Sequence, residues 1–358
     1  MAWSCWNQVL LRSKKRQVRI KLDQTSDKCM EAGGEVMSVK RIARWFVTVI
    51  WCASSLAGAQ PYPIKPIRLI VPWPPGGTTD VLGRMAAARL TETWGVQVVV
   101  DNRAGAGGNI GFEGCAKSPP DGYTLCIMTV AQTISPSIYT KLGFDPIKDF
   151  SHVTLMAIVP SLLLVHPSLP VKNVREFTAL ARAKPGALNY ASTGNGTSPH
   201  MMMEMFKTMT NTNIVHIPYK GVSLAMIDQI SGLVESSFGT AIGTLPFVRQ
   251  GKIRALAVTT RDRFPPLPEL PTMVEAGVKG FEASSWTGMS MPAGTPREMV
   301  LKANAELVRM LTAPEMREKL LAMGGIAVGD SPEEFSAFVK RDTEQWGRVA
   351  RAANVRVN

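Results

Sequence analysis

The residues of this chain with the clearest chemistry are glycines and small hydroxyls gathered just ahead of helices. Trp73-Pro74-Pro75-Gly76-Gly77-Thr78-Thr79-Asp80 follows the apolar run Ile67 to Val71, and Leu82, Met85, Ala86 and Leu90 recur behind it at helical spacing. This spacing predicts a buried strand, a Pro/Gly turn and a helix with Thr78, Thr79 and Asp80 in its first turn. Backbone N–H groups there lack intrahelical partners, the helix dipole is positive, and glycine lets a ligand come close. The chemistry is anion binding. An ordinary strand-turn-helix connection shares the pattern, so a second loop of the same kind is needed to give it weight.

That second loop is Ser192-Thr193-Gly194-Asn195-Gly196-Thr197-Ser198-Pro199-His200, between a strand at Leu188 to Ala191 and a helix at Met201 to Thr210. Two further segments end strands in the same way. Thr129-Val130-Ala131-Gln132 reads as a polar loop after the strand Tyr123 to Thr129, and Tyr219-Lys220-Gly221 follows Ile214 to Ile217. Open α/β sheets bind ligands at such carboxyl ends. Lys220 either faces an anion or is a solvated surface lysine, and His200 stands at the edge of the second loop within reach of a ligand.

Catalytic chemistry is missing. The four histidines, His152, His166, His200 and His216, form no H-x-x-x-H or H-E-x-x-H unit, and there is no G-x-S-x-G elbow, Walker loop or Cys/His constellation. A hydrolase using Ser192 or Ser198 with His200 lacks the rest of its machinery. The glycine-rich stretch Gly105 to Gly111 does not fit G-x-G-x-x-G and follows a second strand, which argues against a dinucleotide site. Met201-Met202-Met203-Glu204-Met205 suits an adaptable core face better than a thioether metal site. The expectation is therefore a binding protein with no catalytic residue, no metal and no cofactor.

Length and charge agree. At 358 residues and 45% hydrophobic content the chain is globular and long enough for two domains. The formal charge of +12 looks like a nucleic-acid signal, but residues 1–59 hold 10 Lys/Arg against 4 Asp/Glu and supply half of it. The remaining basic residues are scattered, without a nucleic-acid motif. Met37 to Gln60 has the parts of a Sec-type signal peptide: Lys40, Arg41 and Arg44, an apolar core from Trp45 to Leu56, and Ala57-Gly58-Ala59. Residues 1–36 read as a misassigned extension, and the expected location is the periplasm. A membrane anchor at Trp45 to Leu56 is the alternative. Cys115 and Cys126 remain in the mature chain, either paired in an oxidising compartment or as two buried thiols.

The elements that must position these loops follow an α/β rhythm. Strands are expected at Val96 to Val100, on both sides of Pro160-Ser161, at Arg254 to Thr259 and at Trp286 to Met291, with a helix at Val174 to Ala183. Three closing helices each carry a capping-box pattern, at Thr295 to Glu298, Thr312 to Glu315 and Ser331 to Glu334.

Taken in order, several motifs resemble the Bug receptors, the TctC-like extracytoplasmic solute-binding proteins of tripartite tricarboxylate transporters. They are Val71 to Asp80, Val99 to Gly111, Pro120 to Leu125, Pro218 to Gly221, Arg254 to Thr259, Pro271 to Gly277 and Pro292 to Pro296. The resemblance spans nearly all of residues 60–358. It implies a bilobal periplasmic binding protein of type II-like α/β fold, two Rossmann-like domains with a ligand cleft between them. The expected domains are 60–160 with 283–358, and 161–282. It further implies capture of a small carboxylate, with one carboxylate on backbone amides and ordered water at Gly76 to Asp80. The other expected ligand-binding residues are Trp73, Thr129, Gln132, Ser192, Thr193, Gly194, Gly196, Thr197, His200, Tyr219, Lys220 and Gly221. The implied partners are the membrane permease subunits of a transporter or, alternatively, a two-component sensor kinase, and the expected state is a monomer.

One departure bears on the ligand. Many relatives have an Asp after the Phe of the strand before Arg254, whereas this chain reads Ser237-Phe238-Gly239-Thr240. Gly239 supplies no carboxylate, so a plain carboxylate is favoured over an amino acid.

Overall fold

A computed structural model describes residues 62–357. The expected signal peptide, the upstream extension and Cys5, Cys29 and Cys52 lie outside the described residues. Among the described residues no helix is long and apolar enough to cross a membrane.

The apolar run becomes β1 (Ile67–Val71), followed by α1 (Thr78–Trp94), β2 (Val98–Asn102), α2 (Asn109–Ala116), β3 (Thr124–Thr129) and α3 (Val130–Ile138). β1 pairs in parallel with both β2 and β3, which makes it the point where the strand order reverses. The chain then runs up β4 (Phe150–Val159), turns at Pro160 and enters a different sheet as β5 (Ser161–Val165). Proline has no N–H for the ladder, so it marks the crossing.

The second sheet is built from β5, β6 (Asn189–Ser192), β7 (Val215–Pro218), β8 (Ser236–Thr240) and β9 (Arg254–Val258), in the order β7-β6-β8-β5-β9. Its helices are α4 (Val174–Ala183), α5 (Ser198–Thr210), α6 (Val222–Ser231) and α7 (Ala241–Arg249). Here β6 lies parallel between β7 and β8, so the reversal recurs. The chain returns to the first sheet as β10 (Ser285–Pro292), antiparallel to β3 and β4, and closes with α8 (Arg297–Thr312), α9 (Pro314–Met323), β11 (Ile326–Ala327) and α10 (Pro332–Ala352). The first sheet has the order β11-β4-β10-β3-β1-β2. Two mixed α/β sheets covered by helices make the binding-protein fold expected from the sequence.

Several local expectations need correction. Thr129 to Gln132 is not a loop: Thr129 caps α3, with Gln132 Oε1 accepting from Thr129 N at 2.9 Å in a capping box. Of the three closing boxes only Ser331–Glu334 forms. The Thr295 hydroxyl donates to Pro292 O at 2.7 Å, and Thr312, the last residue of α8, donates back to Val308 O at 2.8 Å. Each hydroxyl found a nearer carbonyl than the helix end it was expected to cap. α5 starts at Ser198 because Pro199 suits a first turn. β2 starts two residues late, since Gly95 ends α1 in the left-handed region and Val96 and Gln97 complete the turn. Cys115 and Cys126, both fully buried, form a disulfide that pins α2 to β3. Met201, Met202 and Met203 are fully buried core residues.

Candidate functional site

A cavity of about 220 Å³ opens where the carboxyl ends of strands from both sheets face each other. Its wall is made largely of helix N-termini. Gly77, Thr78 and Thr79 come from α1, Val130 and Ala131 from α3, Thr197, Ser198 and Pro199 from α5, Gly221, Val222 and Ser223 from α6, and Thr240 from the start of α7.

These termini are mostly left open by the protein itself. The first intrahelical bond of α1 runs from Val81 N to Gly77 O at 3.0 Å, so Thr78, Thr79 and Asp80 have N–H groups without an intrahelical acceptor. No side chain caps α1, α5, α6 or α7. α3 is closed by its Thr129 box, and away from the cavity α4 and α10 are capped by Asn173 and Ser331 while α8 and α9 have no side-chain cap. Dipoles and free donors from both sheets thus converge on one space, which favours negative charge there.

The side chains agree in sign. Among the described residues no Asp or Glu lines the cavity, and Lys220, exposed at the rim, is its single charged residue. The rest is apolar or hydroxylic: Trp73, Pro74, Leu224, Met226 and Phe238 beside Thr129, Ser192, Thr193, Ser237, Ser285 and Thr287. Gly239 lines it with backbone, and a Cβ there would meet Thr244 Cγ2 at 2.6 Å and Leu164 Cδ1 at 2.7 Å. A side chain at 239 would therefore collide with α7 and β5, a constraint the sequence did not reveal.

Of the residues singled out from the sequence, Trp73, Gly77, Thr78, Thr79, Thr129, Ser192, Thr193, Thr197, Lys220 and Gly221 line the cavity. Gly76, Asp80, Gln132, Gly194, Gly196, His200 and Tyr219 do not, and most of these brace the wall. Asp80 accepts from Gly76 N at 3.0 Å, Arg84 Nε at 2.9 Å and Asn102 Nδ2 at 3.0 Å. Burial alone would raise its pKa, but these hydrogen bonds outweigh it and hold the carboxyl below its usual value. Gln132 completes the α3 cap. Gly194 O accepts from Thr197 Oγ1 at 2.8 Å, Gly196 N donates to His200 Nδ1 at 3.0 Å, and Tyr219 OH donates to Asp228 Oδ2 at 2.7 Å.

The cavity is also lined by Ser198, Ser223, Ser237, Thr240, Ser285 and Thr287, none of which was among the expected ligand-binding residues, although Ser198 lies in the second loop. Ser198 and Ser223 open α5 and α6, so the argument made for Thr78 would have found them. Thr287 enters because it pairs with Thr129 across antiparallel strands, a register no local pattern encodes.

A profile described as "Tripartite tricarboxylate transporter family receptor" (TctC) matches residues 82–355. The chain belongs to this family. Like other TctC receptors it is a solute-binding protein and not an enzyme. It is 34% identical to protein BugT of Bordetella pertussis over 301 residues, covering 84% of this chain and 92% of BugT. Rpa4515 of R. palustris, solved with adipate, is 39% identical with a TM-score of 0.80, over 82% of this chain and 99% of that one. MatC of Rhodopseudomonas palustris, solved with malate, is 28% identical with a TM-score of 0.77, over 80% and 99%.

Proposed function

We propose that this TctC receptor captures a small dicarboxylate in the cavity between its two sheets, in the periplasm, and delivers it to the membrane permease subunits of a tripartite tricarboxylate transporter. The observation that carries this reading is the convergence of uncapped helix N-termini beside both sheets on a cavity whose only charged side chain among the described residues is Lys220. Adipate and malate in the relatives support the ligand class. The two sheets act as the cores of two lobes, residues 62–160 with 283–357 and residues 161–282. A ligand that touches both stabilises the closed form, since only differential contact shifts such an equilibrium.

An acid-free wall gives an ammonium group no partner, so amino acids are disfavoured. Calorimetric titration of the purified chain with adipate, malate, glutamate and inorganic phosphate tests this. Adipate or malate is expected to bind and, at 100 times its dissociation constant, to add about 2.7 kcal/mol of stability. Binding of glutamate in preference to both would overturn the reading.

A further inference from the structure

Ser192 lines the ligand cavity and contacts His216, which together with His200, Glu204 and the C-terminal segment Ala353 to Val357 borders a second, more open recess. Its Oγ lies 2.6 Å from His216 Nε2, and Gly194 N donates to the same oxygen at 3.1 Å. His216 stacks on His200 with ring centroids 4.1 Å apart and an interplanar angle of 8°, and on Tyr190 at 4.8 Å.

The protonation pattern follows from the partners. Burial pushes His200 down to about 4 and His216 down to about 3, so both rings are neutral at neutral pH. His200 Nδ1 accepts from Gly196 N, which puts its proton on Nε2. Glu204 is engaged by Tyr190 OH at 2.6 Å and Lys207 Nζ at 2.7 Å. No hydrogen bond joins either ring to a carboxylate among the described residues, so the Ser192–His216 contact lacks the third group of a nucleophilic triad.

A serine hydroxyl has one proton. Were His216 Nε2 the acceptor, that proton would be consumed and only a lone pair would face the cavity, which repels a carboxylate. With Nε2–H as donor, His216 and Gly194 N fill the acceptor side of Ser192 Oγ. The hydroxyl hydrogen is then free to turn from Gly194 O, 3.1 Å away, toward the ligand. We propose that His216 is a positioning residue that, by donating Nε2–H to Ser192 Oγ, makes this hydroxyl a hydrogen-bond donor to the bound carboxylate. This rests on the carboxylate reading of the cavity.

The test has a ligand-free arm and a binding arm. Long-range ¹H–¹⁵N correlation at pH 7.5 reads the His216 tautomer directly: Nε2–H is expected, and Nδ1–H would overturn the proposal. Calorimetry with adipate follows in His216→Phe, His216→Gln, Ser192→Ala and the Ser192→Ala/His216→Phe pair. His216→Phe is expected to weaken binding about tenfold, the size of one lost hydrogen bond to a charged group, and His216→Gln, which keeps a donor near the Nε2 position, to restore most of it. In the Ser192→Ala background His216→Phe should cost nothing more, because the effect passes through the hydroxyl. Additive losses, or no rescue by Gln, would make His216 a packing residue. If the unmodified chain binds neither adipate nor malate, the carboxylate reading fails, while the tautomer still decides the role of His216.

Discussion

Thr78 Oγ1 and Thr240 Oγ1 lie 2.9 Å apart, joining the first residue of α1, beside the first sheet, to the residue that precedes α7, beside the second. Both residues line the cavity, so one hydroxyl pair ties its two walls together.

Thr240→Val keeps the shape and removes this bond. A net hydrogen bond is worth about 1 kcal/mol, so adipate affinity should fall roughly fivefold while the melting temperature of the ligand-free chain changes little. Titration calorimetry on the variant reads this, and an unchanged dissociation constant would mean the pair plays no part in closing the cavity.

Stability should depend on pH through opposing groups. Burial pushes the imidazoles of His152 and His200 down to about 4 from an ordinary 6.5, so the stability linked to their neutral forms is present above 6.5 and lost as pH falls toward 4. His216, held lower still, acts in the same direction. Asp342, a half-buried residue of α10 that accepts from Trp286 Nε1 on β10 at 2.9 Å, is pushed up to about 6 by desolvation. Its contribution has the opposite sign, present below 3.8 and lost as pH rises through 6. The histidines prevail in number, so melting temperature should rise from pH 4.5 to 7. In Asp342→Asn, which removes the opposing titration, that rise should be steeper, and an equal or shallower slope by calorimetric scanning would contradict the assignment.

The Cys115–Cys126 disulfide closes an 11-residue separation. Constraining an unfolded loop of that size is worth roughly 3 kcal/mol. The Cys115→Ser/Cys126→Ser variant should therefore melt several degrees lower and bind adipate with near-native affinity, since neither cysteine borders the cavity. Equal melting curves with and without reductant would show the bridge to be dispensable.

Much of this architecture was legible from local pattern. Glycine and proline punctuate the turns that lead into α1, α5 and α6 at the cavity, and short apolar runs mark most of the strands before them, whereas β3 and β8 pass into α3 and α7 at Thr129 and Thr240 without either residue. The elements read least well were those governed by competition among nearby groups. The hydroxyls of Thr295 and Thr312 matched a capping pattern yet bonded to other carbonyls, and Thr129 to Gln132 was read as loop although it begins a helix.

By itself the sequence determined the α/β class, the family and four of the segments that border the cavity, because helix starts and turns depend on residues within a few positions of one another. Tertiary structure alone decided which members of those segments face the cavity. It set Thr287 beside Thr129, turned Asp80 and His200 into braces behind the wall, and brought His216 onto Ser192. Those relationships depend on strand register and ring stacking between residues far apart in the chain, and no local pattern carries that information.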